Sequence, residues 1–379
     1  MAQTQQPAAT QPRQTSGRRT PYDDWIESTG VPVYRGYALE DARSVDVGPW
    51  PERGCNAAFV VLAGQSGVSE ARITEVPAGG TTQPVTFSLD EVVYVVSGRG
   101  LTTIWAGDGP KKSFEWSQRS IFVIPGGCTY QMSSTQGNEP ARLLHYNYLP
   151  TSMMFRPEPE FYFNNSFVQP DVLYEGEGFA AARAIENPNE RARALGRPLW
   201  YGNFFPDMAA WDKLDTYQER GAGGHHVTIK FAGSSVPSHM SVFPPGTYKK
   251  AHHHGPGVLI VIPAGDGYSV MWPSSGGEKI VVPWKEASVF VPPARWYHQH
   301  FNVGSKPARY LAFHAPHMYG GDPLRGTDGP NTNIEYPDEE AWIREKFEEE
   351  LSKRGLKSLM PAECYSNPNY KWEYGEDND

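Results

Sequence analysis

An all-β chain built from two copies of one domain is what this sequence predicts, and three observations predict it. The composition is turn-rich, the apolar segments are short, and the second half repeats the first. Among 379 residues there are 38 glycines and 34 prolines, with 39% hydrophobic and 20% charged residues. Such a profile favours many short strands over long helices. A chain of this length exceeds the usual single-domain size, which also points to two similar units.

The repeat is read by laying the chain over itself at an offset of 167 to 169 residues, with Glu52 recurring as Glu219, Ser120 as Ser288 and Ala63 as Ala232. "ERG" at Glu52 to Gly54 returns at Glu219 to Gly221, and "VPAGG" at Val76 to Gly80 matches "FPPGT" at Phe243 to Thr247. "VVYVVSGRG" from Val92 lies over "LIVIPAGDG" from Leu259, "SIFVIPGG" from Ser120 over "SVFVPPAR" from Ser288, and "PARLL" from Pro140 over "PARYL" from Pro307. Landmarks in one order at a nearly constant offset indicate tandem duplication. Within each copy the segments are rich in Val, Ile, Phe and Tyr and bounded by Gly and Pro, as strands joined by turns require.

Taken in order, residues 1–20 are rich in Gln, Thr, Pro and Ala, lack the apolar centre of a secretory signal, and read as a disordered tail. Residues 21–155 hold the first domain, with a short helical stretch "YDDWIEST" near its start. Residues 156–215 form a connection in which "FAAARAIENPNERARAL" predicts a helix, and residues 216–320 hold the second domain. Residues 321–379 form an extension with an amphipathic helix from Asp338, whose Trp342, Ile343, Phe347 and Leu351 fall at helical spacing and pack on a barrel or on a second copy.

The formal charge of −9 and a pI near 5.7 argue against nucleic acid or anionic membrane as partners, since both reward clustered Lys and Arg. No apolar run approaches the roughly eighteen residues needed to cross a bilayer. Three widely spaced cysteines, Cys55, Cys128 and Cys364, suggest neither a disulfide framework nor a Cys-based zinc site, and fit a reducing, cytoplasmic setting.

The chemistry concentrates in the second copy. Gly246 is followed by "TYKKA" and then by His252, His253 and His254, and about forty residues later "PARWYHQHFN" places His298 and Asn302 after Pro293. In a strand, residues i and i+2 share a face, so His252 and His254 turn one way and His253 the other. These two stretches resemble the two motifs of the cupin family: Gly, five residues and His-x-His, then Pro-x-Gly-x-x-His-x-x-x-Asn. The resemblance spans roughly residues 50 to 320 and implies two jelly-roll barrels, with His252, His254 and His298 holding one divalent transition metal per chain. It implies Fe(II) first, with Mn, Ni, Cu and Zn as alternatives, because imidazole suits all of them.

Two departures from the family pattern carry weight. The motif's Glu is Glu91 in the first copy but falls on Val258 in the second, so the resemblance implies a neutral three-His site of the kind found in gentisate-type and other cupin dioxygenases. In the first copy Val85, Phe87 and Tyr130 stand where the ligands would be, which implies a metal-free scaffold. Around the triad, His300 shares the face of His298 and is a ligand, an outer hydrogen-bond donor or polar lining. His239 and His314 either face the cavity or are structural, and His225 and His226 read as solvent-facing. Arg295 stands where the motif has a glycine and either clamps an anionic substrate or forms a surface ion pair. Trp272, Trp296, Tyr248 and Tyr268 either line an aromatic pocket or pack in the core.

The leading functional expectation is an Fe(II) dioxygenase taking dioxygen and a small anionic aromatic or enolisable substrate. One alternative is a Zn or Mn lyase, isomerase or hydrolase of the same fold, and another is a non-catalytic ligand-binding or regulatory protein. The resemblance also implies a homo-oligomer.

Overall fold

The computed structural model describes residues 19–163, 165–168, 173, 181–187, 190, 193, 199–211, 214–314 and 333–374. It contains two jelly-roll sandwiches in tandem, each a larger sheet facing a smaller one. In the first, the larger sheet runs Val33–Gly36, Cys55–Leu62, Glu70–Val76, Ala141–Asn147, Glu91–Ser97, Ile121–Ile124, and faces Val85–Thr86, Thr129–Ser134, Arg99–Trp105, Lys112–Ser117. In the second, His225–Lys230, Pro237–Phe243, Ala308–Phe313, Leu259–Ala264 and Val289–Phe290 face Ile280–Lys285, Asp266–Pro273, Trp296–Asn302 and Ala251–His252. The strands of the repeat therefore occupy matching places in the two units.

The barrels do not divide where the sequence divides. Ala38–Leu39, from the first segment, pairs antiparallel with Val289–Phe290 of the second barrel. Phe204–Phe205, from the connection, pairs with Ile121 and Phe122 of the first. Each larger sheet is thus closed at one edge by a strand drawn from elsewhere in the chain, which removes an open edge and ties the units together.

The continuous apolar runs follow from this packing. Along Glu91–Ser97, Val93 and Val95 join the interior of the first barrel, whereas Val92, Tyr94 and Val96 join a core shared by both barrels. Leu259 and Val261 enter the same shared core from the other side, while Ile260 and Ile262 turn into the second barrel. A strand buried on both faces has no reason to alternate apolar with polar residues. One pair of glycines is demanded by close approach: a Cβ at Gly100 would lie 2.0 Å from the Ser133 carbonyl oxygen, and one at Gly267 2.0 Å from that of Phe301.

The helical expectations fare differently. A helix spans Pro21–Ser28, opened by a capping box between Thr20 and Asp23. In the connection, Ala182–Ile185 is a strand paired with Leu199–Gly202, so the expected helix does not begin there; further along the same stretch Glu190 and Arg193 are helical, and most of the stretch lies outside the described residues. The tail to residue 18 also lies outside them. A helix spans Ala341–Lys353 and packs on the second barrel through Ile343, Phe347 and Leu351, but Trp342 is 38% exposed and leaves the predicted stripe. Just before it, Asn333–Ile334 extends the smaller sheet beside Ala251–His252. Among the described residues no helix is long and apolar enough to cross a membrane.

Candidate metal centre

The strand that carries the first histidine is only two residues long, Ala251–His252, and His252 pairs directly with His298 of Trp296–Asn302. His253 and His254 follow in an irregular segment rather than continuing the strand, so alternation alone does not place His254. It turns back toward the other two nonetheless. One ligand atom from each of His252, His254 and His298 lies within 4.8 Å of the others. The His252 and His298 rings are 4.1 Å apart and those of His254 and His298 4.6 Å, while His253 packs edge-on against Tyr297 instead.

Each ring is oriented by its own backbone. Nδ1 of His252 faces the Lys250 carbonyl at 3.4 Å, Nδ1 of His254 the Gly255 carbonyl at 2.8 Å, and Nδ1 of His298 the Trp296 carbonyl at 3.2 Å. A carbonyl accepts a proton from Nδ1, which leaves Nε2 as the lone pair, the arrangement metal-binding imidazoles use. Nε2 of His298 is buried without any hydrogen-bond partner. Burial, aided by neighbouring positive groups, pushes His252 and His298 well below the usual imidazole range. Neutral rings with inward lone pairs fit a divalent transition ion, and a charged set would not.

His300 lies beside the cluster rather than in it, its ring 5.5 Å from that of His298. Its Nδ1 is 2.8 Å from Ser269 Oγ, which in turn accepts from Trp284 Nε1 at 3.0 Å. With the Ser269 proton on Nδ1, His300 carries its own proton on Nε2 and is a hydrogen-bond donor. Burial lowers it to about 3, so the ring is neutral. The same tryptophan-to-hydroxyl bond recurs in the first barrel, from Trp116 Nε1 to Thr102 Oγ1 at 3.0 Å.

The remaining expectations divide by side-chain direction. His239 and His314 are bonded to each other, Nδ1 to Nε2, at 2.6 Å, and the rings of His226 and His239 lie 5.0 Å apart. Arg295 is exposed, with its backbone in the left-handed region at φ 60°, and does not line the centre. Tyr248 is fully buried in an aromatic layer with Phe301, Tyr336 and Phe347 and hydrogen-bonds to Glu339, on the side of the C-terminal helix. Tyr268 stacks on Phe301 in that layer and Trp272 packs on Tyr297. Trp296 is half-buried beside Tyr37 and contributes its carbonyl, not its ring, to His298. Val258 is buried, and no carboxylate joins the cluster among the described residues.

Two cations escape the sequence reading. Arg220, in the turn Gln218–Arg220, is buried, bonds to Asn333, and is the strongest charge acting on His252. Lys249 is fully buried with its ammonium 5.0 Å from the Tyr310 ring, which itself lies 4.9 Å from that of His300. Burial and Arg220 lower Lys249 to about 7, which makes it a group able to give or take a proton. The "ERG" repeat was the available signal for Arg220, and nothing in the period of a strand marked Lys249.

No protein-family model matches the chain, and no curated protein does. Among solved structures it is similar to a mutant of Bacillus subtilis oxalate decarboxylase, 13% identical with a TM-score of 0.47, covering 74% of this chain and 78% of that one. A second structure of that enzyme, described by its Mn(II) centres, is 14% identical with a TM-score of 0.47 over 74% and 78% of the two chains. The Lactobacillus farciminis oxalate decarboxylase in a formate complex is 12% identical, with a TM-score of 0.48 over 75% and 87%. Superpositions this loose carry no argument about activity or metal, so both rest on the chain's own residues.

Proposed function

We propose that the second barrel is a metal-dependent enzyme acting on a small carboxylate, by lyase or isomerase chemistry at the bond beside the carboxyl group. The observation that carries this reading is the union of the three-His cluster with two buried cations, Arg220 and Lys249. His252, His254 and His298 would hold the ion, with Mn(II) or Fe(II) both suited to three imidazoles. A bound ion supplies Lewis acidity to a substrate oxygen. Arg220 attracts the carboxylate toward the three histidines, Lys249 moves a proton at its Nζ, and His300 donates from Nε2 to a substrate oxygen. Phe290 and Tyr310, flanking His300, keep water from the reacting atoms. Lys249 thereby provides the acid or base that Val258 cannot.

One observation favours a second reading. The neutral triad leaves the ion's full charge for an anionic substrate to balance, as the Fe(II) dioxygenase reading asks. The test is anaerobic turnover: metal-loaded chain incubated with a panel of small mono- and dicarboxylates, enolisable acids and phenolic acids, with and without dioxygen. Product formed without dioxygen supports the lyase reading. Turnover only with stoichiometric oxygen consumption replaces it with the dioxygenase, and no turnover with saturable binding replaces both with a ligand-binding protein.

A further inference from the structure

Among the described residues the middle of the first barrel brings together a different set of side chains. Val85 and Tyr130, cross-strand partners, occupy the places that His252 and His298 hold in the second barrel. With Trp50, Arg53, Arg72 and His145 they line a small cavity of about 20 Å³ that opens to solvent. Four nitrogens on its lining residues are buried without a hydrogen-bond partner: Trp50 Nε1, Arg72 Nε and both ring nitrogens of His145. A buried donor left unpaired costs about 1 to 3 kcal/mol, so the two fixed donors, Trp50 Nε1 and Arg72 Nε, call for an acceptor.

The charges sort in the same direction. Arg72 spends its two terminal nitrogens on Glu70 and, at 2.8 Å, on Glu91, and Glu91 also meets His145 Nδ1 and the Tyr130 hydroxyl at 2.9 Å each. Glu91 is thus committed to the network through both oxygens and Glu70 through one. Among the described residues no carboxylate pairs with Arg53, which is half-buried; its guanidinium lies 5.0 Å from the Trp50 ring and 4.7 Å from that of Phe163. The Arg72 guanidinium is 5.7 Å from the same Trp50 ring, so two cations lie beside that indole on the lining of one cavity. Burial pushes the Glu70 carboxyl above its usual range, against the pull of Arg72.

We propose that the first barrel binds a small carboxylate of formate or acetate size between the Arg53 guanidinium, Arg72 Nε and Trp50 Nε1, in the place that the metal centre holds in the second barrel. One carboxylate oxygen pairs with Arg53 and the other accepts from Arg72 Nε and Trp50 Nε1, in the charge-assisted geometry guanidinium and carboxylate favour. His145, whose Nδ1 faces Glu91, presents Nε2 as an acceptor and so favours a ligand that also carries a hydroxyl.

Calorimetric titration of sodium formate, sodium acetate and sodium glycolate into the full chain, freed of metal with EDTA and held at constant ionic strength with sodium chloride, tests the site. Saturable binding is expected in the wild type and in His298→Ala, tightest for glycolate, and weakened at least tenfold in Arg53→Gln. Should Arg53→Gln lose its near-ultraviolet circular dichroism, Trp50→Phe, which removes the indole N–H, is expected to weaken binding at least threefold. The proposal is overturned by absence of saturable binding, which would mean water alone fills the cavity. It is equally overturned by binding that His298→Ala abolishes, or by binding indifferent to both Arg53→Gln and Trp50→Phe.

Discussion

Position for position, the first barrel carries Val85, Phe87, Tyr130 and Met132 where the second carries His252, His254, His298 and His300, and Arg72 where the second carries His239. Around these differences the frame is held fixed. Gly100 and Gly267 meet a carbonyl at the same distance, Trp116 and Trp284 each donate to a hydroxyl at 3.0 Å, and Ser120 and Ser288 each accept from the backbone N–H three residues earlier. What differs is how each interior settles its polar groups. The first ties part of them into a charge network, Glu70, Arg72, Glu91 and His145, in which Arg72 lies far above and Glu91 far below the usual range despite burial, because each faces the other. The second instead gathers the imidazoles of His252, His254 and His298 about one point, near the buried Arg220 and Lys249.

The comparison breaks most sharply at the triad. Replacing His252, His254 or His298 singly by Ala is expected to abolish tight metal binding, a loss of a hundredfold or more, whereas His253→Ala is expected to leave it within a factor of a few, as read by metal competition with a chromophoric chelator. In the first barrel the matching insult is Glu91→Gln. Removing one partner of a buried pair strands Arg72, and a loss of about 3 to 5 kcal/mol in denaturant unfolding is expected, with metal content of the second barrel unchanged. Metal loss on Glu91→Gln would show that the barrels are not independent in chemistry.

A smaller effect sharpens the parallel between frames. Trp116→Phe and Trp284→Phe each delete one buried hydrogen bond and should each cost about 1 kcal/mol. Only Trp284→Phe is expected to alter the metal centre's spectrum, since only there does the hydroxyl continue to a histidine beside the cluster, His300. The smallest effect lies at the C-terminal helix. Burial raises Glu339, which hydrogen-bonds to Tyr248 and Gln299, to about 7. A carboxyl whose folded value is raised gives stability that is full below its unfolded value near 4.3 and is lost as pH rises through about 7. Glu339→Gln should therefore leave Tm unchanged at pH 4, raise it by a few degrees at pH 8, and flatten the decline between them in thermal scans.

The sequence carried the repeat, the three imidazoles and the vacancy at Val258, because each depends on spacing along the chain. It did not carry what depends on direction outside regular strands. Arg220 and Arg53 sit in short turns where no period tells inward from outward, and Lys249 precedes a strand only two residues long. Tyr248 was within reach of the centre by position, yet its ring turns to Phe347 and Tyr336, a partition set by a helix ninety-odd residues away. Arg295, chosen because it replaces a motif glycine, takes up that glycine's positive φ and keeps its side chain in solvent. The exchange of Ala38–Leu39 and Phe204–Phe205 between barrels was illegible for a similar reason, since two-residue strands carry no periodicity at all.

The most direct test of the account is the metal content of purified chain measured by inductively coupled plasma mass spectrometry, wild type against His298→Ala and His253→Ala. One divalent transition ion per chain is expected in the wild type and in His253→Ala, with less than a tenth of that in His298→Ala. Equal occupancy in all three, or none in the wild type even after reconstitution with Mn(II) or Fe(II), would contradict a metal centre in the second barrel.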